Sequence, residues 1–394
     1  VSTLAATAPG SLQTLTDRYH PDAFELGRRH ARIRLAGAGP QACDVLLDGS
    51  QARLVPANSR RPDARLDADP ETWDAIAEDV RGGMAAFRQG RLRIRHDLHL
   101  GVGFLAATAA PGPGALRFRT VHTREGNISV AEAGSGPPVL LVHGLGASKV
   151  SFLPTLGALA PHYRAIAIDL PGFGDSDKPI RAAYDPPYFA RVMVALLDAL
   201  GLDRADFVGN SMGGRVALEM GLHHPNRVRR LALLAPSMPW LRDRPWAPPL
   251  RLVVPQLGLI QPAPRALIEG IVQRVVPGAA DEWTAAGIDE FLRAYLTPRG
   301  RSAFYTAARS IYLEEPYGPN GFWTLLPALE PASLFVWGER DTLVPIRFAK
   351  HVRRALPDSR HLELSCGHVP QLEAPRETHE AILAFFAEAS APAG

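Results

Sequence analysis

Between residues 118 and 364 the chain carries short, nearly unbroken apolar runs at 139–142, 165–168, 207–208, 231–234 and 334–337, with longer amphipathic stretches between most of them. Runs of that length predict parallel strands covered on both faces, and their alternation with helical segments predicts a doubly wound α/β sheet. Two alternating segments lead into it, 118–124 and 127–133, turning around Glu125 and Gly126, which reads as an antiparallel hairpin. The pattern before residue 108 differs. Alternation at 31–35 and 45–55 predicts strands. Asp69 and Pro70 then open a helix as N-cap and first-turn residue, carried by Trp73, Ile76, Val80, Met84 and Phe87 and ended by Gly90. Leu92 and Ile94 continue as a short strand, and residues 98–107 read as a second apolar helix.

The change of rhythm falls at 108–115, where alanines give way to Pro111, Gly112, Pro113 and Gly114, a composition that supports no regular element and suits a linker. The expected organisation is a disordered tail over 1–23, a small α+β domain over 24–108, a linker over 109–115, and an α/β core over 116–236 and 328–390. The α/β core is interrupted by an inserted cap over 237–327. That insertion is rich in proline and aromatics, among them Trp240, Trp246, Trp283 and Phe322, with helix-like pieces near 265–276 and 282–295. Its aromatics point to an apolar substrate.

Composition narrows the classes. Among 394 residues there are 43 Lys and Arg against 40 Asp and Glu, a formal charge of +3, which gives no broad attraction to nucleic acid or to anionic lipid. Two cysteines, Cys43 and Cys366, fit a reducing compartment and neither a disulfide framework nor a metal cluster. No apolar run approaches the length that spans a bilayer, and residues 1–10 lack the flank of a secretory signal. A cytoplasmic protein without stable membrane insertion, metal or cofactor is expected.

The chemistry concentrates in three places. Gly209-Asn210-Ser211-Met212-Gly213 follows the strand ending at Val208 and precedes a helix carrying Val216, Leu218 and Met220. A strand, a tight glycine turn and a helix are what a nucleophile elbow requires, with Ser211 held exposed at the carboxyl edge of the sheet. A serine hydroxyl needs a base, and the base needs a carboxylate to hold its tautomer. Asp341 stands just beyond the strand at 334–337, and His368 opens a loop after the strand at 361–364. Glu339 reads as a solvated loop charge. The position after the sixth strand, where some relatives place the acid, is Ser237. His361, His351, His223 and His224 read as solvated surface residues, and Cys366 as packing. For a tetrahedral oxyanion the N–H of Met212 supplies one donor, and the loop His143-Gly144-Leu145-Gly146 supplies the other at Leu145. His143 reads as a brace for that loop, and Asp169 to Ser176 as a supporting turn.

The order Ser, Asp, His, with four motifs in sequence over residues 116–390, resembles the α/β-hydrolase superfamily. The resemblance implies a capped serine hydrolase that forms an acyl-enzyme from an apolar acyl substrate, carboxylesterase- or lipase-like. The stretch Gly-Asn-Ser-Met-Gly-Gly is similar to C–C bond hydrolases of ring-cleavage diketone products. Ala147 and Ser148 after Gly146, and Val369 after His368, differ from that group. Serine at position 211 separates the chain from the aspartate-nucleophile branches. Over 24–108, the helix opening Asp-Pro-Glu-Thr-Trp, followed by Ala-Phe-Arg-Gln-Gly-Arg-Leu-Arg-Ile-Arg, resembles the sterol carrier protein 2 (SCP2) family. That resemblance implies a lipid ligand in this domain, and it leaves lipid binding or transfer as the alternative main function.

Overall fold

In a computed structural model, residues 9–80, 82–239, 251–261, 264–266 and 282–388 are described. The chain divides into two compact units, Val1–Arg119 with Ala263–Arg293, and Thr120–Pro262 with Ala294–Gly394.

The first unit is built on strands β1 (Ala31–Ala36), β2 (Cys43–Leu47), β3 (Ala52–Pro56), β4 (Ala64–Ala68) and β5 (Leu92–Arg95), ordered β3-β2-β1-β4-β5. Only the β1–β4 pair is parallel. The apolar run at 45–55 resolves into a hairpin because Asp48 caps a turn, its Oδ1 accepting from the N–H of Ser50 and Gln51, with Gly49 at φ 93°. The expected tail is corrected over its second half. Gly10–Asp17 form helix α1, whose Leu12 and Leu15 are buried, because their spacing presents one apolar face to the unit's core. Residues 1–8 lie outside the described residues.

Asp69 caps helix α2 (Pro70–Glu78) as its residue type requires, accepting from Thr72 N at 2.7 Å. The helix expected to continue to Gly90 breaks instead at Asp79, which is extended, and resumes as α3 (Gly82–Arg88). Trp73 and Phe87 are still buried, while Val80 and Met84 are half-buried. Helix α4 (Leu98–Ala107) is buried along its whole length. Two glycines let it approach its neighbours: a Cβ at Gly103 would stand 2.4 Å from the Phe24 ring, and one at Gly101 2.6 Å from Ile94.

The same unit takes in part of the stretch expected as a cap. Helix α8 (Glu282–Tyr295) carries Asp289, which is almost fully buried and accepts from Arg95 Nε at 2.7 Å, from the backbone N–H of His96 at 3.0 Å and from Arg265. His96 adopts φ 76°, and its N–H meets that carboxylate. Of the remaining calls in the insertion, Trp240, Trp246, the side chain of Trp283 and most of 265–276 lie outside the described residues.

The second unit holds an eight-stranded sheet ordered β13-β12-β11-β10-β8-β9-β7-β6. Its strands are β6 (Arg117–Thr123), β7 (Gly126–Ala133), β8 (Pro138–Val142), β9 (Arg164–Ile168), β10 (Ala205–Asn210), β11 (Val228–Leu234), β12 (Ala332–Gly338) and β13 (Arg360–Leu364). From β9 to β13 every pairing is parallel, and β7 meets β9 antiparallel. Val139, Leu140, Leu141 and Val142 are all fully buried. Burying a side chain of this kind stabilises by about 1.5–3 kcal/mol, so the apolar runs that predict these strands also anchor them. Helices α5 (Leu153–Leu159), α6 (Pro186–Ala199), α7 (Met212–His223), α9 (Pro298–Tyr312), α10 (Phe322–Leu325), α11 (Ala349–Ala355), α12 (Pro370–Glu373) and α13 (Pro375–Ala387) complete the unit. No helix among the described residues is long and apolar enough to cross a membrane.

Candidate active site

The carboxyl ends of parallel strands collect polar side chains because the chain leaves the sheet there in loops. In this unit β8, β10, β11, β12 and β13 end next to Gly144, Ser211, Ser237, Asp341 and His368 respectively.

Ser211 sits between β10 and α7 at φ 53°, ψ −115°, a conformation that costs an L-residue about 1–3 kcal/mol and persists only where the surroundings impose it. Those surroundings are glycine-dependent. A Cβ at Gly209 would lie 2.4 Å from Gly213 O, and one at Gly213 would lie 2.0 Å from Val142 O. Ser211 N donates to Leu234 O, and Ser211 O accepts from the N–H of Arg215 and Ser237. Met212 opens α7, so its N–H has no acceptor within the helix. Gly144 lies close by, with a Cβ there 3.2 Å from Ser211 Cβ, and Leu145 follows in the turn closed by Ala147 N donating to Gly144 O.

His368 Nδ1 and Asp341 Oδ2 are 2.7 Å apart. The other carboxylate oxygen of Asp341 accepts from the backbone N–H of Leu343 and Val344 at 2.8 and 2.9 Å, so the side chain, fully buried, has one fixed orientation. Glu339, by contrast, is exposed. The loop carrying His368 is held from three sides. Asn210 Nδ2 donates to His368 O at 3.1 Å and to Leu234 O at 3.0 Å. Arg340 N donates to Cys366 O. The Glu373 carboxylate accepts from Gly367 N at 2.6 Å and Val369 N at 2.8 Å. Asn210 thus ties the histidine loop to the residue preceding Ser211.

Ser237 is a contact that residue spacing does not reveal. Its hydroxyl lies 3.1 Å from that of Ser211, and it is buried. The sequence marks this position only as lacking a carboxylate. Glu373 and Asn210 were equally unmarked: each acts through backbone groups brought near by folding, and no pattern encodes such partners.

The loop after β8 is fastened by buried polar contacts. His143 Nδ1 donates to Gly144 O at 2.7 Å while its Nε2 accepts from Leu170 N at 3.0 Å, and burial lowers its pKa, so it stands neutral with the proton on Nδ1. Lys149, wholly buried, places Nζ 2.6 Å from Asp169 Oδ2 and 3.2 Å from Asp175 Oδ2. Burial opposes the charge on Asp169, yet the Lys149 ammonium holds its carboxyl below the usual range. Ser176 Oγ donates to Asp169 O and accepts from Ser129 N.

Other nucleophile and base candidates fall away. Burial pushes the Cys366 thiol up to about 12, which removes the thiolate at neutral pH. His361 is not a solvated surface residue: it stacks on Phe335 and Trp337, accepts from Trp337 Nε1 at 2.9 Å, and is driven down to about 4 by burial. His223 is half-exposed beside Glu219. Among the described residues no group of acids, histidines and cysteines could hold a metal ion.

Comparison with known proteins agrees with both units. Residues 137–375 match the profile described as alpha/beta hydrolase fold, and residues 12–105 match the SCP-2 sterol transfer family. An uncharacterised protein of Mycobacterium tuberculosis is 30% identical over 285 residues, covering 66% of this chain and 77% of that protein. A 2-hydroxymuconate semialdehyde hydrolase of Pseudomonas putida is 28% identical over 274 residues, covering 66% and 90%. Among solved structures, a bacterial membrane phospholipase A superposes with a TM-score of 0.55 at 30% identity, covering 69% of this chain and 86% of that one.

Proposed function

We propose that this chain, which belongs to the α/β hydrolase fold family, cleaves a carboxylic ester or related acyl bond of an apolar small molecule, with Ser211 as nucleophile. The observation that carries this reading is the 2.7 Å contact of Asp341 with His368, on a loop whose own carbonyl is tied to the residue before Ser211. Asp341 accepts from Nδ1, which leaves Nε2 as the basic nitrogen. His368 takes the hydroxyl proton as Ser211 Oγ attacks the carbonyl carbon. The N–H groups of Met212 and Leu145 hold the oxyanion, a contribution of about 3–4 kcal/mol per donor in comparable sites. His368 returns the proton to the leaving alcohol, and the acyl-enzyme is then opened by water that His368 deprotonates. The hydroxide adds to the acyl carbon, the bond to Ser211 Oγ breaks as His368 returns that proton to it, and the carboxylic acid leaves.

Ser211→Ala, assayed on p-nitrophenyl esters of increasing chain length, tests the assignment. Turnover should vanish together with labelling by a fluorophosphonate probe, and undiminished turnover would sink it. A second reading is supported by the Gly-Asn-Ser-Met-Gly-Gly stretch and by the 2-hydroxymuconate semialdehyde hydrolases among its relatives: hydrolysis of a C–C bond in a ring-cleavage diketone. Bleaching of such a coloured product, without ester turnover, selects it. For the first unit, its match to the sterol transfer family supports a lipid ligand.

A further inference from the structure

Six large apolar side chains are exposed among the described residues, and four of them fall within nine positions: Leu252 at 85%, Val254 at 49%, Leu257 at 54% and Ile260 at 79% of full exposure. Scattered single exposures are ordinary, whereas a run of four is the mark of a surface that meets something apolar.

The segment is not a loose strand of chain. Residues Pro255–Leu259 form a 3₁₀ turn pinned by its backbone to helix α9. The buried Arg301 donates from Nε to Gly258 O at 2.9 Å, and Tyr305 OH donates to Gln261 Oε1 at 3.1 Å. Gly258 itself approaches so closely that a Cβ there would sit 3.0 Å from Ser302 N. Leu257 O accepts from both Ile260 N and Gln261 N. The Gly258 carbonyl thus faces α9 while Leu257 and Ile260 are exposed.

The charge on this part of the second unit is one-sided. Residues 251–262 and 294–311 contain no Asp or Glu and four arginines, of which Arg301 is buried on backbone carbonyls and Arg309 is half-buried. Arg251 and Arg299 are exposed. Exposed aliphatic tips beside exposed arginines, on segments without acids, match a bilayer interface bearing anionic headgroups.

We propose that the face formed by Leu252, Val254, Leu257 and Ile260 docks the second unit on the surface of an anionic lipid bilayer. The aliphatic tips enter the headgroup layer, and the exposed Arg251 and Arg299 neutralise lipid phosphates. The surface does not depend on which bond is cleaved at Ser211, and its test needs no substrate.

The full chain is sedimented with vesicles of phosphatidylcholine alone or mixed with phosphatidylglycerol. Binding should be about tenfold stronger to the mixed vesicles and should fall as salt rises. Leu252→Asp with Ile260→Asp should weaken it by about tenfold, with Tm unchanged because both positions are exposed. Three outcomes overturn the proposal: the wild-type chain stays in the supernatant, the double variant binds as well as wild type, or the wild-type chain forms a dimer that the double variant dissolves without either binding vesicles. The second would place lipid binding elsewhere, such as the first unit, and the third would make this face a contact between copies.

Discussion

Ser211 and Ser237 face each other hydroxyl to hydroxyl at 3.1 Å, and the N–H of Ser237 also donates to Ser211 O. One side-chain contact and one main-chain contact thus fix Ser211 against the end of β11. On the proposed mechanism, a proton donated by Ser237 leaves the hydrogen of Ser211 free for His368. Ser237→Ala removes one neutral hydrogen bond, about 1 kcal/mol, so kcat/KM on a p-nitrophenyl ester should fall about fivefold. An unchanged kcat/KM would mean that the contact is idle in turnover.

Asp341 combines its contact to His368 with two backbone donors. Asp341→Asn keeps the shape but lets the imidazole settle in the wrong tautomer, and kcat should drop by about 10⁴. Glu339→Gln, at an exposed position, should leave kcat within about twofold. Equal losses in the two variants would reassign the acid.

Lys149 and Asp169 are both wholly buried. Lys149→Met leaves a carboxylate without its main counter-charge and should destabilise the protein by about 3–5 kcal/mol in urea titration. Adding Asp169→Leu should restore part of that loss, since the orphaned charge is then removed. If the double variant is no more stable than the single one, the pair is not the source of the effect.

His361 is held neutral in its aromatic stack, with its folded pKa driven down to about 4. In the unfolded chain it titrates near 6.5. Between those values the unfolded state binds more protons, so stability rises with pH across this window and is lost as pH falls through it. His361→Gln should flatten that part of the pH–stability curve while lowering stability at pH 8, where the histidine is neutral in both states. Denaturant midpoints from pH 4 to 8 measure both effects. A slope unchanged by the substitution would assign the acid sensitivity to other groups.

Much of the fold was legible because its signals are local. Each of the five apolar runs in the α/β region is a strand, with ends moved by no more than three residues, since a parallel strand buried on both faces must be apolar throughout. Asp69 before Pro70 is a cap whose geometry lies within one turn of chain. The placement of Ser211 between a strand and a helix was readable because such a turn needs glycines at fixed positions, and that of Asp341 and His368 beyond strand ends because each follows a recognisable strand.

What folding alone decided are the partnerships between distant residues. Nothing near Ser237 says that its hydroxyl meets Ser211, and nothing near Glu373 says that it will hold the two N–H groups flanking His368. Asp289 reads as an ordinary helix carboxylate until Arg95 and His96, nearly two hundred residues away, are brought to it, drawing that helix into the first unit. The break at Asp79 within an otherwise helical pattern is of the same kind. By itself the sequence determined the strands, the helix cap and the glycine turn around Ser211, because these depend on periodicity and short-range sterics. The tertiary structure decided which polar atoms meet, because a buried donor or acceptor is satisfied by whichever partner the packed chain places within about 3 Å.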